Sequence, residues 1–409
     1  MRAYERFLKY VTIYTTSDPN SASHPTSMRQ FDLAYMLVDE MKSLGILDAR
    51  VDDKCYVYGT LPATSGLEDV DPIGFIAHLD TSDDASGEKV KPQLHHNYNG
   101  EDVFLPGTNS FLKVKDFPFL AKLQGQTLIT SDGTTLLGAD DKAGIAEILT
   151  LVERLQTENI PHGKLCIAFT PDEEVGQGAD YFDMKGFGAK YAYTVDGGDV
   201  GEVEYENFNA ASATVTVNGF SVHPGQAKNM MINAQNVAME YHMSLPQNER
   251  PEHTEGREGF YHLTDMNGDV SSATLEYIIR DHDFQLFEAR KALMEQLKDK
   301  LNNKYGFNTV LVDMKDSYFN MLEQIKPHFH LITYAKEAIK RVGVTPMECP
   351  IRGGTDGARL SYEGLPCPNL GTGGFNFHGP SECITVEKMD LSVEVLLNIV
   401  ALFVENKCS

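Results

Sequence analysis

Three short apolar runs constrain this chain more than any other feature. Ile73-Gly74-Phe75-Ile76-Ala77, Leu165-Cys166-Ile167-Ala168-Phe169 and Tyr191-Ala192-Tyr193-Thr194-Val195 are nearly continuous in hydrophobic character rather than alternating. Strands of that kind must be covered on both faces, as in a parallel sheet flanked by helices. Each run breaks abruptly into acid or imidazole: His78-Leu79-Asp80, Asp172-Glu173-Glu174 and Asp196-Gly197-Gly198. Open α/β sheets place ligands at the carboxyl ends of their strands, so these polar stops mark a site as well as a fold.

Helical spacing accounts for much of the rest. Phe31, Ala34, Val38 and Met41 predict a helix over about 27–44, with Ser27 as its cap and Gly45 as its stop. Asp140-Asp141 leads into a helix marked by Ile145, Ile148, Leu149, Val152 and Leu155, and further helices are expected over about 328–342 and 387–404. From about residue 207 the pattern changes. Ala211 to Val217 alternates as a half-buried antiparallel strand does, and a helix through Met230, Ala234, Val237 and Tyr241 follows. Strands near 260–263 and 273–280, a helix with Leu286, Leu293, Leu297 and Leu301, and a strand over 309–312 complete βαββαβ, a ferredoxin-like order. Met230 and the leucine stripe from Leu286 read as core. The expected architecture is therefore α/β, a mainly parallel-sheet catalytic domain over 1–206 and 319–409, with an inserted α+β ferredoxin-like lid over 207–318.

A length of 409 residues suits two domains, and 59 Asp+Glu against 35 Lys+Arg give a formal charge of -24. A field of that sign repels phosphate backbones and anionic lipid, so nucleic acid and membrane are excluded as partners; cations, including metals and peptide amino termini, are favoured. Cys55, Cys166, Cys349, Cys367, Cys383 and Cys408 form no C-x-x-C pair, which suits free thiols in a reducing cytosol. With neither a leader-like apolar stretch nor a membrane-length one, the expectation is a soluble cytoplasmic protein.

Taken singly, each polar stop has an ordinary explanation. His78 suits a satisfied core histidine, Asp140 a helix cap, Asp196 a turn residue, His378 a loop residue, and Glu173-Glu174 a solvated acidic loop. Taken together, and counting one glutamate of the pair, they supply two imidazoles and three carboxylates, a donor set suited to zinc or a similar metal. Five ligands suffice for two ions if one carboxylate bridges, and Asp140, at a helix start, is the best bridge. Adjacent side chains point apart, so of Glu173 and Glu174 one can ligate while the other faces a substrate. Without cations the carboxylates would repel one another and take up protons.

Four strings carry a resemblance: His78-Leu79-Asp80-Thr81-Ser82-Asp83, Gly138-Ala139-Asp140-Asp141-Lys142-Ala143-Gly144, Pro171-Asp172-Glu173-Glu174-Val175-Gly176 and Phe377-His378-Gly379-Pro380-Ser381-Glu382. They resemble those of the peptidase T family, cytoplasmic tripeptide aminopeptidases of the dinuclear zinc exopeptidase superfamily, and the similarity spans essentially the whole chain. The resemblance implies two zinc ions, with His78 and Asp196 on one, Glu174 and His378 on the other, and Asp140 bridging. It also implies Glu173 as general base, Asp80 as the residue that orients His78 and supports the base, and a cis peptide at Asp140-Asp141. Small peptides are the implied partners, and a homodimer is compatible with the chain.

Substrate contacts are expected from His223 and Arg280 in the lid and from Arg352 in the second part of the catalytic domain. Ser221-Val222-His223-Pro224-Gly225 resembles the superfamily segment whose histidine approaches the substrate carbonyl, the alternative for His223 being a turn cap. Arg280 and Arg352 are candidates for gripping a peptide carboxylate, against the alternative of ordinary surface arginines. Two other activities are compatible with the strings. One is a related deacylase or carboxypeptidase on N-acyl amino acids or small peptides; the other is a binding module without catalysis, against which the intact Glu173 stands.

Overall fold

The apolar runs pair with one another in a computed structural model, which describes residues 1–407; Cys408 lies outside the described residues. An eight-stranded sheet contains β1 (Arg50–Val51), β2 (Val57–Leu61), β3 (Ile73–His78), β4 (Leu165–Thr170), β5 (Tyr191–Gly197), β6 (Glu202–Glu204), β7 (Met347–Glu348) and β8 (Asn369–Gly371). Their spatial order is β1-β2-β4-β3-β5-β8-β6-β7. The central pairs β4/β3, β3/β5 and β5/β8 are parallel, as are β6 and β7 at one edge, while β1/β2, β2/β4 and β8/β6 are antiparallel. Every residue of β3 and β4 is buried, which explains their uninterrupted apolar character. Register sets His78 beside Thr170, so two of the polar stops leave the sheet next to each other.

Five helices matter for the site: α1 (Ala3–Tyr10), α2 (Gln30–Ser43), α3 (Ala139–Thr157), α4 (His330–Arg341) and α5 (Val386–Glu405). α3 packs on β3 and β5 and is itself covered by α1 and α5. Its first turn is irregular. Gly138 is left-handed at φ +82°, Asp140 and Asp141 depart from helical dihedrals, and the bond between them is cis. α2 begins later than its pattern predicts, after Arg29 and without a side-chain cap. Ser27 instead donates from Oγ to the Thr16 carbonyl at 2.7 Å.

The polar stretch after β3, which periodicity leaves unassigned, folds into short strands. Gln93–His95, Leu128–Thr130, Cys383–Thr385 and Gly374–Phe375 form a four-stranded sheet, beside a hairpin of Val103–Leu105 and Ser110–Leu112. Tyr98, Leu105, Leu120 and Leu128 pack together there. No helix among the described residues is long and apolar enough to cross a membrane.

The chain divides into two compact units. Met1–Tyr205, Glu323–Cys349 and the residues from Thr355 form the first; Glu206–Leu322 and Pro350–Gly354 form the second. In the second unit, strands Phe260–Gly268, Ser272–Asp281, Asn209–Asn218 and Val310–Tyr318 lie in that spatial order, all antiparallel, with helices Ala234–Ser244 and Phe284–Tyr305: the ferredoxin-like arrangement. Val215, Val237, Leu275, Phe287, Met294 and Leu301 are among its core residues. Two residues read as core are not: Leu286 is 56% exposed and Met230 55%. The buried stripe starts at Phe287, and Leu286 sits in the helix's first turn, its amide capped by Asp283.

Candidate active site

β3 delivers His78, whose ring is fixed by Asp80, two residues further along the chain. Nδ1 donates to the Asp80 carbonyl at 3.0 Å and lies 3.4 Å from that residue's Oδ1, which leaves Nε2 facing the carboxylates of the cluster. Nε2 is 2.8 Å from Asp140 Oδ1 and 3.5 Å from Asp196 Oδ1. The second oxygen of Asp140 faces the other way, 3.2 Å from His378 Nε2, and that nitrogen is also 3.0 Å from Glu174 Oε2. Asp140 thus meets one imidazole with each oxygen, with Asp196 on one side and Glu174 on the other. His378 has a left-handed φ of +64°, and its Nδ1 lies 3.1 Å from Asp84 Oδ2.

Backbone amides hold the carboxylates in place. Asp80 is fully buried and accepts from the amides of both Glu173, at 3.0 Å, and Glu174, at 3.2 Å. Two residues given no role by the sequence do comparable work. Glu382 accepts from the amides of Leu137, Gly138 and Asp140 at 2.7, 2.8 and 3.0 Å, clamping the loop that presents Asp140. Asp141 accepts from the His78 amide at 3.1 Å and the Gly144 amide at 3.2 Å. Their only sequence signal was proximity to His378 and Asp140.

The donor set fits divalent cations. His78, Asp140 and Glu174 lie close enough to share an ion, as do His78, Asp141 and Asp196; Asp141 already receives an amide on each oxygen and reads as support. Glu174 Oε1 is buried with no hydrogen-bond partner among the described residues, an orphan that a cation would satisfy. The acid-base balance agrees. Burial opposes the charge of Asp140, yet His378 and His78 hold its carboxyl below the usual range. Burial, with Asp140 nearby, pushes Glu174 up to about 7, and burial only partly offset by His78 pushes Asp196 up to about 6. Hydrogen bonds to Asp140 and Glu174 raise His378 to about 11. Burial, and then Asp196, holds Glu173 well above the glutamate range. Free of cations, the cluster stores protons.

The three residues expected to contact substrate belong to the second unit. His223 caps its own turn, accepting from the Gly225 amide at Nδ1, 3.2 Å away. Arg280 sits over the Tyr318 ring at 5.0 Å, its pKa lowered by burial. Arg352 departs from expectation. Its Nη1 donates to the carbonyls of Gly256 at 2.8 Å and Glu258 at 3.2 Å, and its Nη2 to Thr254 Oγ1 at 2.9 Å, with Phe208 and Phe260 beneath. A guanidinium so committed staples a loop of its own unit and offers no open fork to a carboxylate.

A carboxylate and imidazole cluster on the carboxyl edge of a mainly parallel sheet, with an inserted ferredoxin-like unit, defines a metallopeptidase class. A model described as a peptidase dimerisation domain matches residues 205–309, and one described as M42 glutamyl aminopeptidase matches 121–254. Peptidase T of Alkaliphilus oremlandii (strain OhILAs) is 54% identical over 402 residues, 98% of each chain. Among solved structures, aminopeptidase PepT from Bacillus cereus ATCC 10987 superposes with a TM-score of 0.79 at 24% identity, over 98% of each chain. A tripeptidase from Staphylococcus aureus Mu50 gives 0.80 at 21% identity, over 99% of this chain and 98% of that one. The chain belongs to the peptidase T family.

Proposed function

We propose that this chain is a cytoplasmic aminopeptidase that releases the N-terminal residue from tripeptides with two zinc ions. In this reading His78 and Asp196 would hold one ion, Glu174 and His378 would hold the other, and Asp140 would serve both. The observation that carries it is the two-sided Asp140 carboxylate, 2.8 Å from His78 on one oxygen and 3.2 Å from His378 on the other. When bound, such a pair of ions supplies a water of lowered pKa and polarises the scissile carbonyl.

The chain's own groups do the rest. Glu173 takes the proton of the attacking water and delivers it to the leaving amine. Two features support that role: its carboxylate makes no hydrogen bond or ion pair among the described residues, and burial favours its protonated form once a proton arrives. Asp80 holds the turn by the amides of Glu173 and Glu174. Arg280 is the remaining candidate to grip the peptide carboxylate, and His223, with Nδ1 committed to its turn, has Nε2 left for the oxyanion. The dimerisation-domain match over 205–309 supports a homodimer. Unpaired thiols at Cys55, Cys166, Cys349, Cys367 and Cys383 support a reducing compartment.

The test is metal content measured alongside hydrolysis of tripeptides, N-acetyl amino acids and N-blocked tripeptides, before and after chelation. Only the free tripeptides should turn over, and only with metal present. Glu173→Gln should retain metal and lose roughly a hundredfold or more in kcat. Turnover within about tenfold of the native enzyme would refute the base assignment.

A further inference from the structure

The segment from Ile13 to Gln30 is sewn to three of the four strings that build the site. Thr16 bridges to Thr81 in parallel register, the Ser17 amide donates to the Thr81 carbonyl at 3.2 Å, and the hydroxyls of Thr16 and Thr81 lie 3.0 Å apart. The Ile13 carbonyl accepts from Lys142 Nζ at 2.7 Å. The densest contact is with Asp172, which is fully buried and left-handed at φ +58°. Its Oδ1 accepts from Thr26 Oγ1 at 2.5 Å and Gln30 Nε2 at 2.6 Å, and its Oδ2 accepts from the Thr26 amide at 2.7 Å. Gln30 Oε1 accepts in return from the Asp172 amide at 3.2 Å. Thr26 and Gln30 are themselves buried.

Two links converge on the turn that carries Glu173. Asp172, immediately before Glu173, is held by Thr26 and Gln30. Asp80, which holds the Glu173 and Glu174 amides, is followed by Thr81, which Thr16 and Ser17 hold. Ser27 ties the two grips together through the Thr16 carbonyl. Both oxygens of Asp172 and its amide are thereby bonded, with His24 Nδ1 a further 3.3 Å from Oδ2, and a buried group held from so many sides is rigid, which over-determines a left-handed non-glycine residue that would otherwise relax. Proton transfer is steeply sensitive to placement, a displacement of about 1 Å costing on the order of a hundredfold.

We propose that Thr26 and Gln30 are positioning residues for Glu173: through Asp172 they set the turn from which its carboxylate reaches the water, without touching substrate or a metal ligand. The inference rests on Glu173 being the base. Thr26→Val keeps the shape and the amide donor but removes the hydroxyl; Gln30→Met keeps the length and removes both polar groups. Each should lower kcat by roughly tenfold to a hundredfold with KM and metal stoichiometry unchanged, and Thr26→Ser should restore kcat. Kinetics are taken below the melting temperature found for each variant on the same sample, so unfolding is not read as lost catalysis. In a Glu173→Gln background neither change should cost anything further, because the group being positioned is gone.

Three results would overturn the proposal: kcat within about twofold of native in both variants, kcat loss in proportion to metal loss, or losses that add fully to that of Glu173→Gln. A Glu173→Gln enzyme that still turns over defeats the base assignment instead, and is distinguished by being scored without any change to Thr26 or Gln30.

Discussion

Glu382 spends its whole carboxylate on backbone amides, three of them in the loop that presents Asp140. Removing it leaves three N–H groups unpaired, those of Leu137 and Gly138 buried and that of Asp140 partly so, a buried one costing about 1–3 kcal/mol. Glu382→Ala should therefore destabilise the protein by at least roughly 3 kcal/mol and release metal, both readable from one denaturant titration with metal analysis. A variant with native stability and native metal content would mean that the loop finds other acceptors. Glu382 also marks where sequence reading stops. His78, Glu174 and Asp196 stand out as candidates because imidazole and carboxylate at the ends of apolar strands are conspicuous, while Asp140 at a helix start and His378 in a loop stand out through the strings around them. Glu382 and Asp141 do not, because their partners are amides that only the fold brings near. Arg352 failed in the opposite direction: a glycine-flanked arginine resembles an anion anchor until its contacts with the carbonyls of Gly256 and Glu258 are seen.

At the scale of elements, α3 joins chemistry to packing, since its first turn carries Asp140 and its body lies on β3 and β5. A Cβ at Gly144 would overlap the Val195 carbonyl and come within 2.6 Å of Asp141 Oδ1. Gly144→Ala should push α3 off the strand that ends in Asp196, costing about 1–3 kcal/mol and lowering activity. Activity unchanged at lowered stability would separate helix placement from the site. Further along, Glu147 is buried against α5, its Oε2 2.5 Å from Ser392 Oγ and its Oε1 without a hydrogen-bond partner among the described residues. Burial raises its carboxyl well above 4.5. The folded form then keeps a proton that the unfolded chain releases, so this group's contribution to stability is largest below about pH 4.5 and falls as pH rises. Glu147→Gln carries no such penalty, and its advantage in melting temperature should widen from about pH 5 to about pH 8; parallel curves would show that Glu147 ionises without cost. Long elements buried on one or both faces were legible from periodicity. The sheet of Gln93–His95, Leu128–Thr130, Gly374–Phe375 and Cys383–Thr385 was not, because each strand is too short to carry a period and two of the four come from the far end of the chain.

The whole molecule is an anion, with a formal charge of -24 that two divalent ions would offset only slightly. A field of that size acts before any contact forms, raising the local concentration of cations and lowering that of anions. A tripeptide with ordinary side chains is a zwitterion and feels little net force, whereas one bearing a lysine or a glutamate carries a net charge of either sign. The encounter should therefore favour lysyl over glutamyl tripeptides at low salt, beyond any preference of the site itself. Salt separates the two contributions, because the screening length falls from about 30 Å at 0.01 M to about 8 Å at 0.15 M, while contacts within the site are little affected. The expected result is a kcat/KM ratio, lysyl over glutamyl, that drops several-fold across that range and then levels at the intrinsic preference of the site. The change should lie in kcat/KM and not in kcat, since steering acts on the free enzyme and free substrate. A ratio that holds constant as salt rises would assign the whole preference to local contacts, and a net charge of this size would then play no part in substrate capture.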